Sequence, residues 1–65
     1  MLMLFTISID YHNNGNFVPR VCYKTEQKAV TKANNLPWPS KVRKMTALQC
    51  VGMKSRNPEF NIVLQ

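Results

Sequence analysis

The side chains able to ligate a metal or attack a substrate are few: His12, Cys22 and Cys50, with the carboxylates Asp10, Glu26 and Glu59. A structural zinc site takes three or four ligands, usually in pairs a few residues apart. No CxxC, HxH or HExxH spacing brings these residues together, so His12 reads as a solvated turn residue and the two cysteines as buried thiols. Acid–base catalysis needs two groups pushed to opposed pKa values. Asp10 and His12 fall on one face of a strand, but beside a turn, where a surface pair is the simpler reading. Nucleophilic catalysis needs a nucleophile, a base and a group that orients the base; Cys22 and His12 lack the third. With two glycines, Gly15 and Gly52, the chain has no phosphate-cradling loop. The expectation is a protein that is no enzyme and carries neither metal nor cofactor.

What remains is positive charge. Nine Lys and Arg stand against three acids, a formal charge of +6. A surface of that sign attracts nucleic acid or acidic protein faces. Lys24, Lys28 and Lys32 recur every four residues, which stacks them on one helix face with Asn35 a turn further on. Like charges at that spacing repel slightly, a cost that a bound anion would offset. Lys41-Val42-Arg43-Lys44 is a second cluster, Lys54 and Arg56 a third, and Arg20 lies on the outer face of a strand. Ordinary solvated lysines give the same pattern; joined into a stripe, they would follow a phosphate backbone. Trp38, the single tryptophan, sits between Pro37 and Pro39. Either it closes the open end of a small core, or it is a rigid anchor for a partner. The candidate binding residues are therefore Lys24, Lys28, Lys32, Lys41, Arg43, Lys44 and Trp38, with DNA, RNA or an acidic protein face as the partner and no small-molecule substrate. Phe5, Tyr11, Phe17 and Tyr23 all fall on the face assigned to the core, which counts against a sheet platform for stacking bases.

These groups must be held by very little protein. A chain of 65 residues makes one domain, 1–65, and a domain of that size buries only about 60% of its unfolded surface. Function is expected on the outside. The opening Met1-Leu2-Met3-Leu4-Phe5 has no basic region before it, Asp10 ends its apolar run early, and no stretch reaches the ~18 apolar residues of a membrane span. With neither signal, the expected location is the cytoplasm, a reducing compartment in which Cys22 and Cys50 are expected as buried thiols, with a disulfide between them as the alternative.

Residues 3 to 11 alternate: Met3, Phe5, Ile7, Ile9 and Tyr11 on one face, Leu4, Thr6, Ser8 and Asp10 on the other, a half-buried strand. Asn13-Asn14-Gly15-Asn16 is a turn signal, and a second strand follows from Phe17 to Lys24. A two-residue loop at Asn14-Gly15 would turn Arg20 and Lys24 toward the apolar face. A three-residue loop, Asn13-Asn14-Gly15, pairs Tyr11 with Phe17, Ile9 with Pro19, Ile7 with Val21 and Phe5 with Tyr23, and puts Gly15 in the left-handed region. Pro19 makes this strand either an edge or a bulged one. Thr25 to Leu36 reads as a helix, capped by Thr25, with Glu26 in its first turn and an apolar stripe of Ala29, Val30, Ala33 and Leu36. Pro37 stops it. Ser40 to Met53 supports two readings: a strand with Met45, Ala47, Val51 and Met53 on one face, or a helix capped by Ser40 with Val42, Met45, Leu48 and Val51 recurring. The alternating Phe60 to Leu64 needs a neighbour, and Lys54 to Glu59 suits a hairpin loop, so the strand is preferred. The predicted fold is α+β, ββαββ: a small, mostly antiparallel sheet with one helix packed on one face, residues 40–51 forming a second helix in the alternative.

In length and element order the chain resembles small phage-encoded inhibitors of host nucleic-acid machines, of the anti-CRISPR or RNA-polymerase-inhibitor type. The resemblance is one of architecture and transfers no functional residues. It implies a stoichiometric inhibitor that acts through its surface in the host cytosol. Because this chain is basic, the implied target is an acidic protein face or the nucleic acid itself, in place of the DNA mimicry used by acidic inhibitors. The expected function is a non-catalytic binding module that inhibits or modulates a host nucleic-acid-processing complex. The alternative is direct, largely sequence-nonspecific binding of DNA or RNA. The expected state is a monomer or weak homodimer, since Pro19 and Lys24 discourage edge pairing.

Overall fold

Alternation at the start of the chain and turn chemistry after it produce the first two strands, and the rest of the fold is wound around them. The computed structural model describes residues 2–65. Its elements are β1 (Met3–Ile9), β2 (Val18–Tyr23), α1 (Glu26–Asn34), β3 (Ser40–Thr46), α2 (Ala47–Arg56) and β4 (Asn61–Val63). They form a sheet of order β3-β1-β2-β4, in which β1 is antiparallel to both neighbours and β4 runs parallel to β2. The α+β class and the mostly antiparallel sheet are as the sequence implied.

The element order is ββαβαβ, with a second helix. The stretch from Ser40 divides at Thr46: strand before it, helix after it. The reason is a capping box. The Gln49 N–H donates to Thr46 Oγ1 at 3.1 Å, and the Thr46 N–H donates to Gln49 Oε1 at 2.9 Å. This reciprocal pair satisfies donors that a helix start otherwise leaves open. Lys54 and Arg56 thus occupy the last turn of α2 rather than a hairpin loop, and β4 enters parallel to β2 instead of returning beside β3.

Two crossovers follow, β2–α1–β3 and β3–α2–β4, and they travel across the sheet in opposite directions. Parallel strands joined through a crossover keep a right hand, so the two helices must lie on opposite faces. They do. Ile7, Ile9 and Ala29 pack with Phe5, Val21, Tyr23, Ala33, Leu36 and Val42 under α1. Leu4, Cys22, Cys50 and Phe60 pack with Met45, Ala47, Met53 and Ile62 under α2. The first strand is therefore buried on both faces, not half-buried: Leu4, Thr6, Ser8 and Asp10 are enclosed along with Ile7 and Ile9. Thr6 compensates its lost water by donating from Oγ1 to the Val21 carbonyl at 2.8 Å. Val30, expected in the α1 stripe, is exposed, and Ala29, Ala33 and Leu36 carry the contact.

The hairpin register is Phe5↔Tyr23 and Ile7↔Val21, as the three-residue loop requires, but it then slips to Ser8↔Pro19 and Ile9↔Val18. Arg20 is the extra residue. Pro19 has no N–H to give the ladder, and a bulge beside it absorbs the defect. The expected pairs Ile9–Pro19 and Tyr11–Phe17 are lost, and the strands are joined by residues 10–17. The Asp10 carboxylate organises that connection by accepting the Asn14 N–H at 3.2 Å and the Gly15 N–H at 2.8 Å. Gly15 adopts φ +83°, the left-handed geometry expected of it.

Cys22 of β2 and Cys50 of α2 form a disulfide, which corrects the expectation of two thiols. The second crossover lays α2 over the face on which Cys22 points. A separation of 28 residues offers no local signal of that meeting. A domain this small gains much from such a staple. Among the described residues no helix is long and apolar enough to cross a membrane.

Candidate binding surface

The predicted basic residues do not converge on one stripe. On α1, Thr25 caps the helix by accepting the Lys28 N–H at 3.3 Å, Glu26 lies in the first turn and Lys32 in the last, each on the favourable side of the helix dipole. Burial of Ala29 turns Lys28 and Lys32 outward. With Gln27, Thr31 and Asn35 they line a shallow groove of about 540 Å³. Lys28 Nζ donates to the Gln65 carbonyl, so part of its hydrogen-bonding capacity is used within the fold. Lys24 stands outside this groove, and its backbone N–H donates to the Val63 carbonyl at 3.2 Å.

The 41–44 cluster is divided by the pleat of β3. Lys41 and Arg43 lie opposite Ser8 and Thr6, on the α2 face; Lys44 lies opposite Phe5, on the α1 face. All three are exposed on an edge strand, the placement by which charged side chains discourage strand-to-strand aggregation. Lys41 Nζ stands 4.3 Å from the centroid of the Phe17 ring.

Trp38 belongs to a different assembly, which the sequence did not reveal. The Asp10 N–H donates to the Pro39 carbonyl at 2.9 Å and ties the Pro37-Trp38-Pro39 segment to the β1 end. Trp38 there meets Tyr11 edge to face, with centroids 4.6 Å apart and planes at 79°. The Arg20 guanidinium lies 4.9 Å from the centroid of the same Tyr11 ring. Tyr11 and Trp38 are each 40% exposed, so both keep surface for a partner. Tyr11 escapes the core because the bulge ends its pairing, and the same bulge turns Arg20 toward it. Trp38 is neither a buried plug nor a free finger: one side is braced by Tyr11 and the other faces water.

Beside this trio runs a second groove of about 450 Å³, on the part of the α1 face over β2 and β4, lined by Tyr11, Arg20, Val21, Tyr23, Glu59 and Asn61 among others. Trp, Tyr and Arg are the residues most enriched among interface hot spots. Their stacking is also pre-organised: two prolines, a bulge and a bulky aromatic contact limit the freedom each would lose on binding. Perpendicular rings do not form the continuous platform on which successive bases stack.

Cys22 is bridged and offers no thiolate to His12. Asp10 is buried with its oxygens on backbone N–H groups of the turn. Among the described residues no group of three or more His, Cys, Asp or Glu is placed to hold a metal ion. Comparison with protein-family models, with curated proteins and with solved structures finds no match to this chain.

Proposed function

We propose that the protein is a non-catalytic binding module that inhibits or modulates a nucleic-acid-processing complex by seating Trp38, Tyr11 and Arg20 on an acidic protein face. The observation that supports this most strongly is the braced, half-exposed Trp38–Tyr11–Arg20 trio. A central aromatic anchor supplies affinity, and a charge of +6 selects acidic partners and speeds encounter. The cytoplasm of a host cell is the proposed setting. There the Cys22–Cys50 bridge would persist by burial, since both residues are wholly enclosed and a reductant reaches them only through an opened state.

A second reading, direct nonspecific binding of DNA or RNA, is favoured by Lys28 and Lys32 lining one groove on α1. The two readings separate on salt. Fluorescence anisotropy with a short duplex, a DNA single strand and an RNA hairpin is run at about 50 and about 200 mM salt, the range over which phosphate-dominated binding collapses. The protein-face reading predicts no tight complex with any of them at the lower salt. Tight binding that collapses at the higher salt would overturn it in favour of nucleic acid.

A further inference from the structure

The two outer strands of the sheet are unlike. β4 has three residues, whereas β3 runs for seven in unbroken register with β1, with no proline and no bulge. Bonds at its two ends fix which way its backbone faces. The Asp10 N–H donates to the Pro39 carbonyl and the Ala47 N–H to the Leu2 carbonyl. Antiparallel pairs alternate between those that exchange backbone bonds and those that do not. Counting alternate pairs from either end makes Ser8↔Lys41, Thr6↔Arg43 and Leu4↔Met45 the bonded ones. Ser40, Val42, Lys44 and Thr46 therefore turn their N–H and C=O groups outward, where among the described residues no strand meets them. The Thr46 N–H is taken by the Gln49 side chain. Ser40, Val42 and Lys44 form a template for one more strand.

The side chains along this edge select which strand. Lys41, Arg43 and Lys44 are exposed on it. The carboxylates lie elsewhere: Asp10 on the N–H groups of its turn, Glu26 in the first turn of α1, Glu59 in the groove over β2 and β4. A second copy would set these cations against its own, whereas acidic side chains directly across from them are favourable. Past Arg43, Met45 points to the α2 face and joins Leu48, Gly52 and Met53 in a shallow groove of about 320 Å³, in which Leu48 is 82% exposed. A phosphate backbone would use the cations and leave this apolar groove unfilled. An added strand uses both, its main chain giving affinity and its alternate side chains specificity. We infer that β3 is a docking edge for an extended acidic segment of a partner protein, paired antiparallel, with one apolar side chain seated against Met45 and Leu48. That this partner is the one held by Trp38 rests on the function proposed above; the edge itself does not.

The test uses the whole, disulfide-bonded protein and the peptide acetyl-Thr-Leu-Glu-Glu-Val-Glu-Thr-amide, whose residues fall opposite Thr46 back to Ser40. NMR follows amide exchange with water up to about 1 mM peptide, enough to half-fill even a millimolar site and slow exchange about twofold. Exchange at Ser40, Val42 and Lys44 is expected to slow saturably, while Lys41, Arg43 and Met45, already bonded to β1, are slow throughout. Two control peptides are expected to have no effect: one N-methylated where it faces Val42 and Lys44, which keeps the charge but loses the ladder, and one with lysine for glutamate, which keeps the ladder but reverses the charge. Arg43→Glu/Lys44→Glu should weaken the acidic peptide about tenfold. Unchanged exchange at the three amides, or equal slowing by either control, would overturn the docking edge. Binding unaffected by the double variant would overturn selection by charge. Slowing that grows with protein concentration alone would give the edge to a second copy and overturn the acidic partner. Because no partner enters the titration, its failure leaves the Trp38 reading standing, and the converse also holds.

Discussion

Reducing the Cys22–Cys50 bridge should cost this protein a large share of its stability. The bridge closes a ring spanning 28 residues and joins β2 to α2 across one of the two cores. Opening it returns loop-closure entropy to the unfolded chain, about 3.5 kcal/mol at 25 °C for a ring of that length. The whole domain has only about 3–10 kcal/mol to lose, from the usual stability per residue. On a domain of this size the loss corresponds to a fall of about 15–25 °C in Tm. The packing of the sulfurs adds to the effect in a Cys22→Ala/Cys50→Ala variant, because the Cys22 sulfur also touches Met45 Sδ at 3.9 Å, and the variant should melt lower still. The assay is thermal denaturation by circular dichroism of the oxidised protein, of protein reduced with a phosphine and shown to hold two free thiols, and of the double variant. A reduced protein melting within about 3 °C of the oxidised form would refute the reasoning, since no entropic account gives so small a shift for this ring.

Two further stability predictions test local devices of the fold. Asp10→Ala removes the acceptor of the Asn14 and Gly15 N–H groups and should cost about 2 kcal/mol in urea denaturation, with Asp10→Asn, which keeps one acceptor, costing less. Thr46→Ala dismantles the capping box of α2 and should cost about 1 kcal/mol with an unchanged denaturant slope.

Local chemistry was legible in the sequence and long-range meetings were not. The strand expected over residues 3 to 11, which ends at Ile9, the cap at Thr25, the left-handed Gly15 and the first half of the hairpin register all follow from alternation and turn residues. The bulge was foreshadowed by Pro19, but its consequence, the release of Tyr11 and the turning of Arg20 onto it, depends on which residue becomes the extra one. The division at Thr46 is written in the sequence as T-x-x-Q, a capping-box signal the sequence reading did not take up, because it treated Ser40 to Met53 as one element. The need of Phe60 to Leu64 for a neighbour was met by β2 in parallel, a pairing that requires a crossover rather than a hairpin. Once the crossover exists, α2 covers the Thr6 and Ser8 face and carries Cys50 to Cys22. The 41–44 cluster is split between two faces because residues adjacent in a strand face opposite ways.

The central claim, that Trp38 anchors a protein partner, is tested most directly by parallel capture from host extract. Immobilised wild-type protein and a Trp38→Ala variant of matched Tm are exposed to nuclease-treated extract at about 200 mM salt, where nonspecific phosphate contacts are weakened. The prediction is a partner retained by the wild type and reduced at least about tenfold on the variant, as expected when an interface hot spot is truncated. Equal retention on both, or no partner retained by the wild type from the nuclease-treated extract, would contradict it.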